Sequence, residues 1–213
     1  DAGVSRAIDE NGDIWTWGYS YSGNGTSSFG PTVPTRLEID AKFKIIKVCS
    51  LGGSIKYTLA LDTEGSLWSW GYDGVNGQLG HNQGSSLSPL KIDTGNVRFK
   101  ELSAGKAVAL AIDNEGNIWY WGSQVFSPTK LETNGVKFTQ ISSGYGHCLA
   151  IDEEGKIWSW GSNRYGKLGQ GKFDGNLEVP TKVETESVKG IKFTKVSAGN
   201  ENSVALDENG NIW

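Results

Sequence analysis

The sequence predicts an all-β fold of consecutive β-propeller blades, each a small antiparallel sheet. Three observations carry that prediction. One motif occurs five times along the 213 residues, its chemistry is that of a strand, a tight turn and a second strand, and no segment shows sustained helical periodicity with caps.

The motif reads Asp9-Glu-Asn-Gly12-Asp-Ile-Trp15-Thr-Trp17-Gly18 at its first occurrence. It returns at Asp62–Gly71, Asp113–Gly122 and Asp152–Gly161, and a fifth copy begins at Asp207 and reaches Trp213. All 9 tryptophans belong to it. Trp15, Trp68, Trp119, Trp158 and Trp213 are spaced by 53, 51, 39 and 55 residues. That period is in the range of propeller blades and above that of the short helical repeats. The units predicted on this basis are 9–61, 62–112, 113–151 and 152–206, with a truncated copy at 207–213.

Within each unit the parts follow in a fixed order. A strand ending in Ala-apolar-Asp runs into Asp-x-x-Gly, where the aspartate side chain bonds the backbone ahead and glycine accepts a positive φ. The next strand is apolar-Trp-x-Trp-Gly. Alternation by two puts both tryptophans on one face, with the apolar residue and the middle residue on the other. All nine are expected to fill the space between blades. A long loop follows, then a proline segment around Pro34, Pro89, Pro128 or Pro180, then a Lys/Arg-Phe-x-x-apolar strand leading to glycine. Between Gly122 and Pro128 only Ser-Gln-Val-Phe-Ser remains, so the third unit lacks the loop.

Composition narrows the function classes. The net charge of −4 lacks the basic excess of a general nucleic-acid binder. No apolar run reaches the length of a membrane span. Two cysteines and two histidines are too few for a disulfide framework or a zinc site of ordinary spacing. The five Asp turns are too short for calcium loops, and no phosphate-cradling glycine motif is present, so neither metal nor cofactor is expected. Cys148 shares a column with Ser5, Thr58, Ala109 and Ser203, which marks a small-residue packing position despite the neighbouring His147; Cys49 shares one with Ser103, Ser142 and Ser197. Asn24-Gly25-Thr26 matches a glycosylation sequon, relevant only to a protein secreted by a eukaryotic pathway. The sequence contains no methionine, as expected of a processed form or a fragment.

Taken unit by unit, the chain resembles the regulator of chromosome condensation repeat family. The resemblance rests on Asn76-Gly77-Gln78-Leu79-Gly80, on Arg164-Tyr165-Gly166-Lys167-Leu168-Gly169, on the proline segment, and on Gly144-Tyr145-Gly146-His147-Cys148-Leu149-Ala150-Ile151-Asp152. The first unit departs from it, since Gly23-Asn24-Gly25 lacks the leucine. The family implies a seven-bladed propeller, of which four units make an open arc or fragment. It also implies a plant ultraviolet-B photoreceptor as a relative in repeat type. The Gly-Trp-Arg-His-Thr chromophore motif of that receptor is absent at the three matching positions beginning at Gly105, Gly144 and Gly199.

The function expected is a non-enzymatic scaffold that binds a protein partner. Loops on a rigid scaffold carry recognition, and aromatic and arginine residues anchor interfaces. The candidate binding residues are Tyr72, His81, Arg164 and Tyr165 in the long loops. Lys106, Tyr145, Asn200 and Glu201 join them because they follow the blade glycine, where the related photoreceptor places its interaction face. Two alternatives stand beside this reading: guanine-nucleotide exchange on a small GTPase, known for the family's namesake, and a structural or cell-surface adhesion module. No membrane or nucleic-acid partner is expected of this segment, and open blade edges offer a route to self-association.

Overall fold

A computed structural model describes residues 4–18, 30–51, 55–73 and 76–213, with residues 45–51, 55 and 56 described by backbone alone. The sequon at Asn24 lies outside the described residues, and so does the Cys49 side chain. Seventeen strands among the described residues form five antiparallel sheets in chain order. The first holds β1 (Val4–Ile8), β2 (Ile14–Gly18) and β3 (Thr35–Arg36). The second holds β4 (Phe43–Leu51), β5 (Ile55–Asp62), β6 (Leu67–Gly71) and β7 (Ser86–Lys91). The third holds β8 (Phe99–Ala104), β9 (Val108–Asp113), β10 (Ile118–Gly122) and β11 (Val125–Lys130). The fourth holds β12 (Phe138–Ser143), β13 (His147–Asp152), β14 (Ile157–Gly161) and β15 (Leu177–Lys182), and the fifth pairs β16 (Phe193–Ala198) with β17 (Ser203–Asp207).

Strands β4, β8, β12 and β16 touch one another in succession, whereas the opposite edges β7, β11 and β15 make no comparable contact. The sheets therefore converge at one edge and fan apart at the other, the arrangement of propeller blades. Each predicted unit boundary falls at the hairpin inside a sheet. A sequence unit thus supplies the two outer strands of one blade and the two inner strands of the next. Two one-turn 3-10 segments, Arg164–Gly166 and Glu186–Val188, are the helical elements among the described residues.

The Asp turn explains itself at the atomic level. In the third blade, Asp113 Oδ1 accepts the backbone N–H of Glu115 and Asn117, at 3.0 and 2.8 Å, while Oδ2 accepts the indole N–H of Trp119 at 2.9 Å. The indole bond recurs from Trp15 to Asp9, Trp68 to Asp62, Trp158 to Asp152 and Trp213 to Asp207. These carboxylates are saturated by N–H donors of their own hairpins. Hydrogen bonds from Asn211 and Trp213 hold the Asp207 carboxyl down at about 2, against burial, which acts the other way.

The first tryptophan of each pair is therefore only part core filler: it is half-buried and locks the turn. Its ring also meets the strand-opening phenylalanine edge-on, as in Phe99–Trp119 at 5.9 Å and Phe138–Trp158 at 5.8 Å. Phenylalanine and the next apolar residue are three apart, which would put them on opposite faces of a flat strand. A bulge after Phe43, Phe99, Phe138 and Phe193 shifts the register, so that Phe99 and Leu102 are both buried.

The second tryptophan fills the space between blades. Trp121 packs with Leu59, Leu61, Leu67, Leu79 and Ile92 of the preceding blade, and Trp160 with Leu110, Ile112 and Ile118. Across its own hairpin it faces Thr58, Ala109 or Cys148, which is why that column holds only small side chains.

Candidate interaction face

Successive blades are joined along one end of the structure, at the turns after the inner strands. The Lys106 N–H donates to the Gly144 carbonyl and the Tyr145 N–H to the Gly199 carbonyl, each at 3.1 Å. Glycine is needed at position 144, because a Cβ there would run into the Gly199 carbonyl oxygen. Serine hydroxyls reinforce the joint: Ser103 Oγ accepts the Ser143 N–H, and Ser142 Oγ accepts the Ala198 N–H.

The long loops emerge on the same end. In the second blade, Asp73 accepts the Leu79 N–H at 3.1 Å and folds the loop back, burying Leu79. In the fourth, Asn163 accepts the Leu168 N–H and donates to the carbonyls of Lys172 and Asp174. The second blade's loop covers the next blade's tryptophan: the Trp121 indole donates to the Gln78 carbonyl at 2.9 Å, and a Cβ on Gly80 would lie 2.9 Å from that indole nitrogen. The third blade replaces its loop by a two-residue turn, Ser123–Gln124, with φ of 49° and 74°. Trp160 is correspondingly 8% exposed, against 0% for Trp121.

On this end the structure brings together most of the residues singled out from sequence. Lys106 lies over the Tyr145 ring, 3.7 Å from its centroid, and donates to its hydroxyl. The Arg164 guanidinium lies 4.8 Å from the centroid of the Tyr165 ring. Tyr165 has a φ of 66°, a conformation rare outside glycine, and is 60% exposed. The two pairs adjoin through the backbone, because the Ser162 N–H donates to the Gly146 carbonyl and the Ser162 hydroxyl accepts the Arg164 N–H. Tyr72 is exposed in the second blade's loop.

His81 differs from the expected surface anchor. It is buried, with neither ring nitrogen hydrogen-bonded among the described residues, and burial lowers its pKa. Asn200 and Glu201 are engaged by a residue the sequence did not single out. The Lys167 ammonium, almost wholly buried, lies 2.8 Å from the Glu201 carboxylate and 3.5 Å from the Asn200 carbonyl. The hydrogen bond from Lys167 holds the Glu201 carboxyl below its usual range.

The His147–Cys148 pair holds no nucleophile–base arrangement. Burial pushes the Cys148 thiol up to about 12, and its sulfur touches the Ser143 hydroxyl at 3.6 Å. The Ser203 hydroxyl donates to the Lys167 carbonyl at 2.7 Å, so at 2.9 Å His147 Nε2 must donate to Ser203. A general base for Ser203 would have to accept that proton instead. Burial, with the Lys167 charge second, lowers His147 to about 4.

Acid should therefore weaken the fold in two windows. His147 is neutral in both states above its ordinary 6.5. As pH falls toward about 4 only the unfolded chain takes the proton, and stability drops. Asp207 is ionised in both states above its ordinary 3.8, and its contribution is lost as pH falls through about 2. Melting temperature followed by circular dichroism should show both falls. His147→Gln should flatten most of the upper one, His81 supplying the remainder; an unchanged upper window would refute the assignment.

Comparison with known proteins agrees with this architecture. Residues 154–206 match the family model for the regulator of chromosome condensation (RCC1) repeat, and residues 138–167 match a second model of the same description. The chain is 31% identical over 219 residues to the RCC1 domain-containing protein RUG3, mitochondrial, of Arabidopsis thaliana, covering 98% of this chain and 39% of that protein. Among solved structures, human WBSCR16 superposes with a TM-score of 0.80 at 19% identity, covering 95% of this chain and 55% of that one. Yeast RCC1 (Prp20) bound to Kap60 gives 0.77 at 22% identity, covering 99% and 53%. Prp20p has also been described with its binding properties to Gsp1p and histones. At these identities the structural likeness shows the fold, and the chain spans 39% of RUG3, 55% of the WBSCR16 chain and 53% of the Kap60-bound Prp20 chain.

Proposed function

Since the chain belongs to the regulator of chromosome condensation repeat family, we propose that it is a non-enzymatic propeller scaffold that binds a protein through its loop end. The observation that carries this reading is the pair of tyrosine–cation contacts, Lys106 with Tyr145 and Arg164 with Tyr165, held on rigid turns of neighbouring blades. Exposed tyrosines with stacked cations are the residue types that anchor protein interfaces. Structural neighbours that bind proteins, such as Prp20 with Kap60, lend support. Photo-cross-linking tests the reading. A cross-linkable residue at Tyr145 or Tyr165 should capture a protein from the source cell, whereas one at Glu154, on the opposite end, should not. Capture only from Glu154 would overturn it. Nucleotide release from a small GTPase faster than its intrinsic rate would favour the exchange-factor reading instead.

A further inference from the structure

We propose that the loop end takes an acidic segment of its protein partner, with carboxylates on Lys106 and Arg164 and an apolar side chain on the aromatic rings between and beside them. The inference rests on the protein-binding reading above and adds the chemistry of the partner. Lys106 and Arg164 are the cations of this end that lie on exposed tyrosine rings, and neither has a carboxylate within ion-pair distance among the described residues. Glu201, whose field reaches Arg164, is already bonded to the buried Lys167. Each cation is thus held in place by a ring face and left with free N–H donors, ready for a carboxylate at little ordering cost.

Apolar surface adjoins the cations. Phe126 is 41% exposed and Phe173 79% exposed. Phe173 lies alongside Gly166, next to Tyr165, and Phe126 lies against Gly77 of the neighbouring loop. The two-residue turn of the third blade leaves the ground between the second and fourth blades' loops low, giving an extended segment room to lie across Tyr145. The chain's net charge of −4 does not forbid this. At physiological salt, charges beyond a Debye length of about 8 Å are screened, and the nearest cations decide. The two tyrosine-stacked cations among the described residues match a short acidic peptide better than the phosphate track of a nucleic acid, for which about six to ten phosphate contacts would be expected.

The test is a phage-displayed peptide selection on the 213-residue chain and on a Lys106→Glu/Arg164→Glu variant whose melting temperature is checked against the parent. The parent should enrich peptides rich in Asp and Glu with an aromatic or aliphatic residue. The variant should lose that enrichment and bind the selected peptide at least about tenfold more weakly by fluorescence anisotropy. A Glu154→Lys control should bind as the parent does. A neutral or basic consensus, equal acidic enrichment on the variant, or tighter binding of oligothymidylate than of the selected peptide overturns the proposal. Cross-linking from Tyr145 or Tyr165 with no acidic enrichment removes only the acidic assignment; absence of cross-linking there removes the protein-binding reading itself.

Discussion

Replacing Trp121 by alanine is expected to lower the unfolding free energy by about 3–5 kcal/mol, as truncation of a buried aromatic does. The indole is fully buried, and its contacts lie mainly in the preceding blade, with Leu59, Leu61, Leu79 and Ile92. Truncation opens a cavity at the junction of two sheets. It also leaves the Gln78 carbonyl without its indole donor. Trp121→Phe should recover most of the burial but not that bond. Phe126→Ala, at an exposed ring, should change stability by under about 0.5 kcal/mol. Denaturant melts followed by circular dichroism decide the matter, and a loss below about 1 kcal/mol for Trp121→Ala would contradict the blade-to-blade assignment.

Asp113→Ala is expected to cost about 2–4 kcal/mol, because it strands several donors at once. The carboxylate accepts two backbone N–H groups, the Trp119 indole at 2.9 Å and the Asn117 amide at 2.8 Å. Asp113→Asn preserves the shape but turns an NH₂ toward groups that are themselves donors, so it should rescue only part of the loss. Both variants should also shrink the acid-sensitive window. Burial raises this carboxyl, but hydrogen bonds from Asn117, Trp119 and Glu115 outweigh it and hold the group below the ordinary aspartate range. A melt of Asp113→Ala within about 0.5 kcal/mol of the parent would show that the turn forms without its carboxylate.

The repeated parts of the fold were legible because packing imposes the same residue at the same place in every blade. The Trp-x-Trp alternation and the Asp-x-x-Gly turn are local, and local chemistry is readable from a chain. The division of labour between the two tryptophans was not, since alternation places both on one face and only geometry shows which indole reaches the turn carboxylate. Nor did Phe-x-x-apolar announce its bulge, because a spacing of three contradicts the period of a strand. At the candidate site, exposed loop residues such as Tyr145 and Tyr165 stood out as aromatics in variable positions. Lys167 did not, because its meaning comes from Glu201, 34 residues away. His81 sits in a loop by sequence, yet it is buried, and loop membership alone could not reveal that.

The turn at Ser123–Gln124 has a consequence for how such a protein changes over time. Gly122 pairs with Val125 across this turn just as Gly161 pairs with Leu177 across the long loop of the fourth blade. The two connections leave and re-enter their sheets at the same rungs, so they are interchangeable cassettes. A recognition loop can be lost, gained or grafted between those rungs while the sheet beneath keeps its register. Specificity in this architecture is free to diverge by insertion and deletion at one end, at the cost of partly uncovering the next blade's tryptophan, as at Trp160.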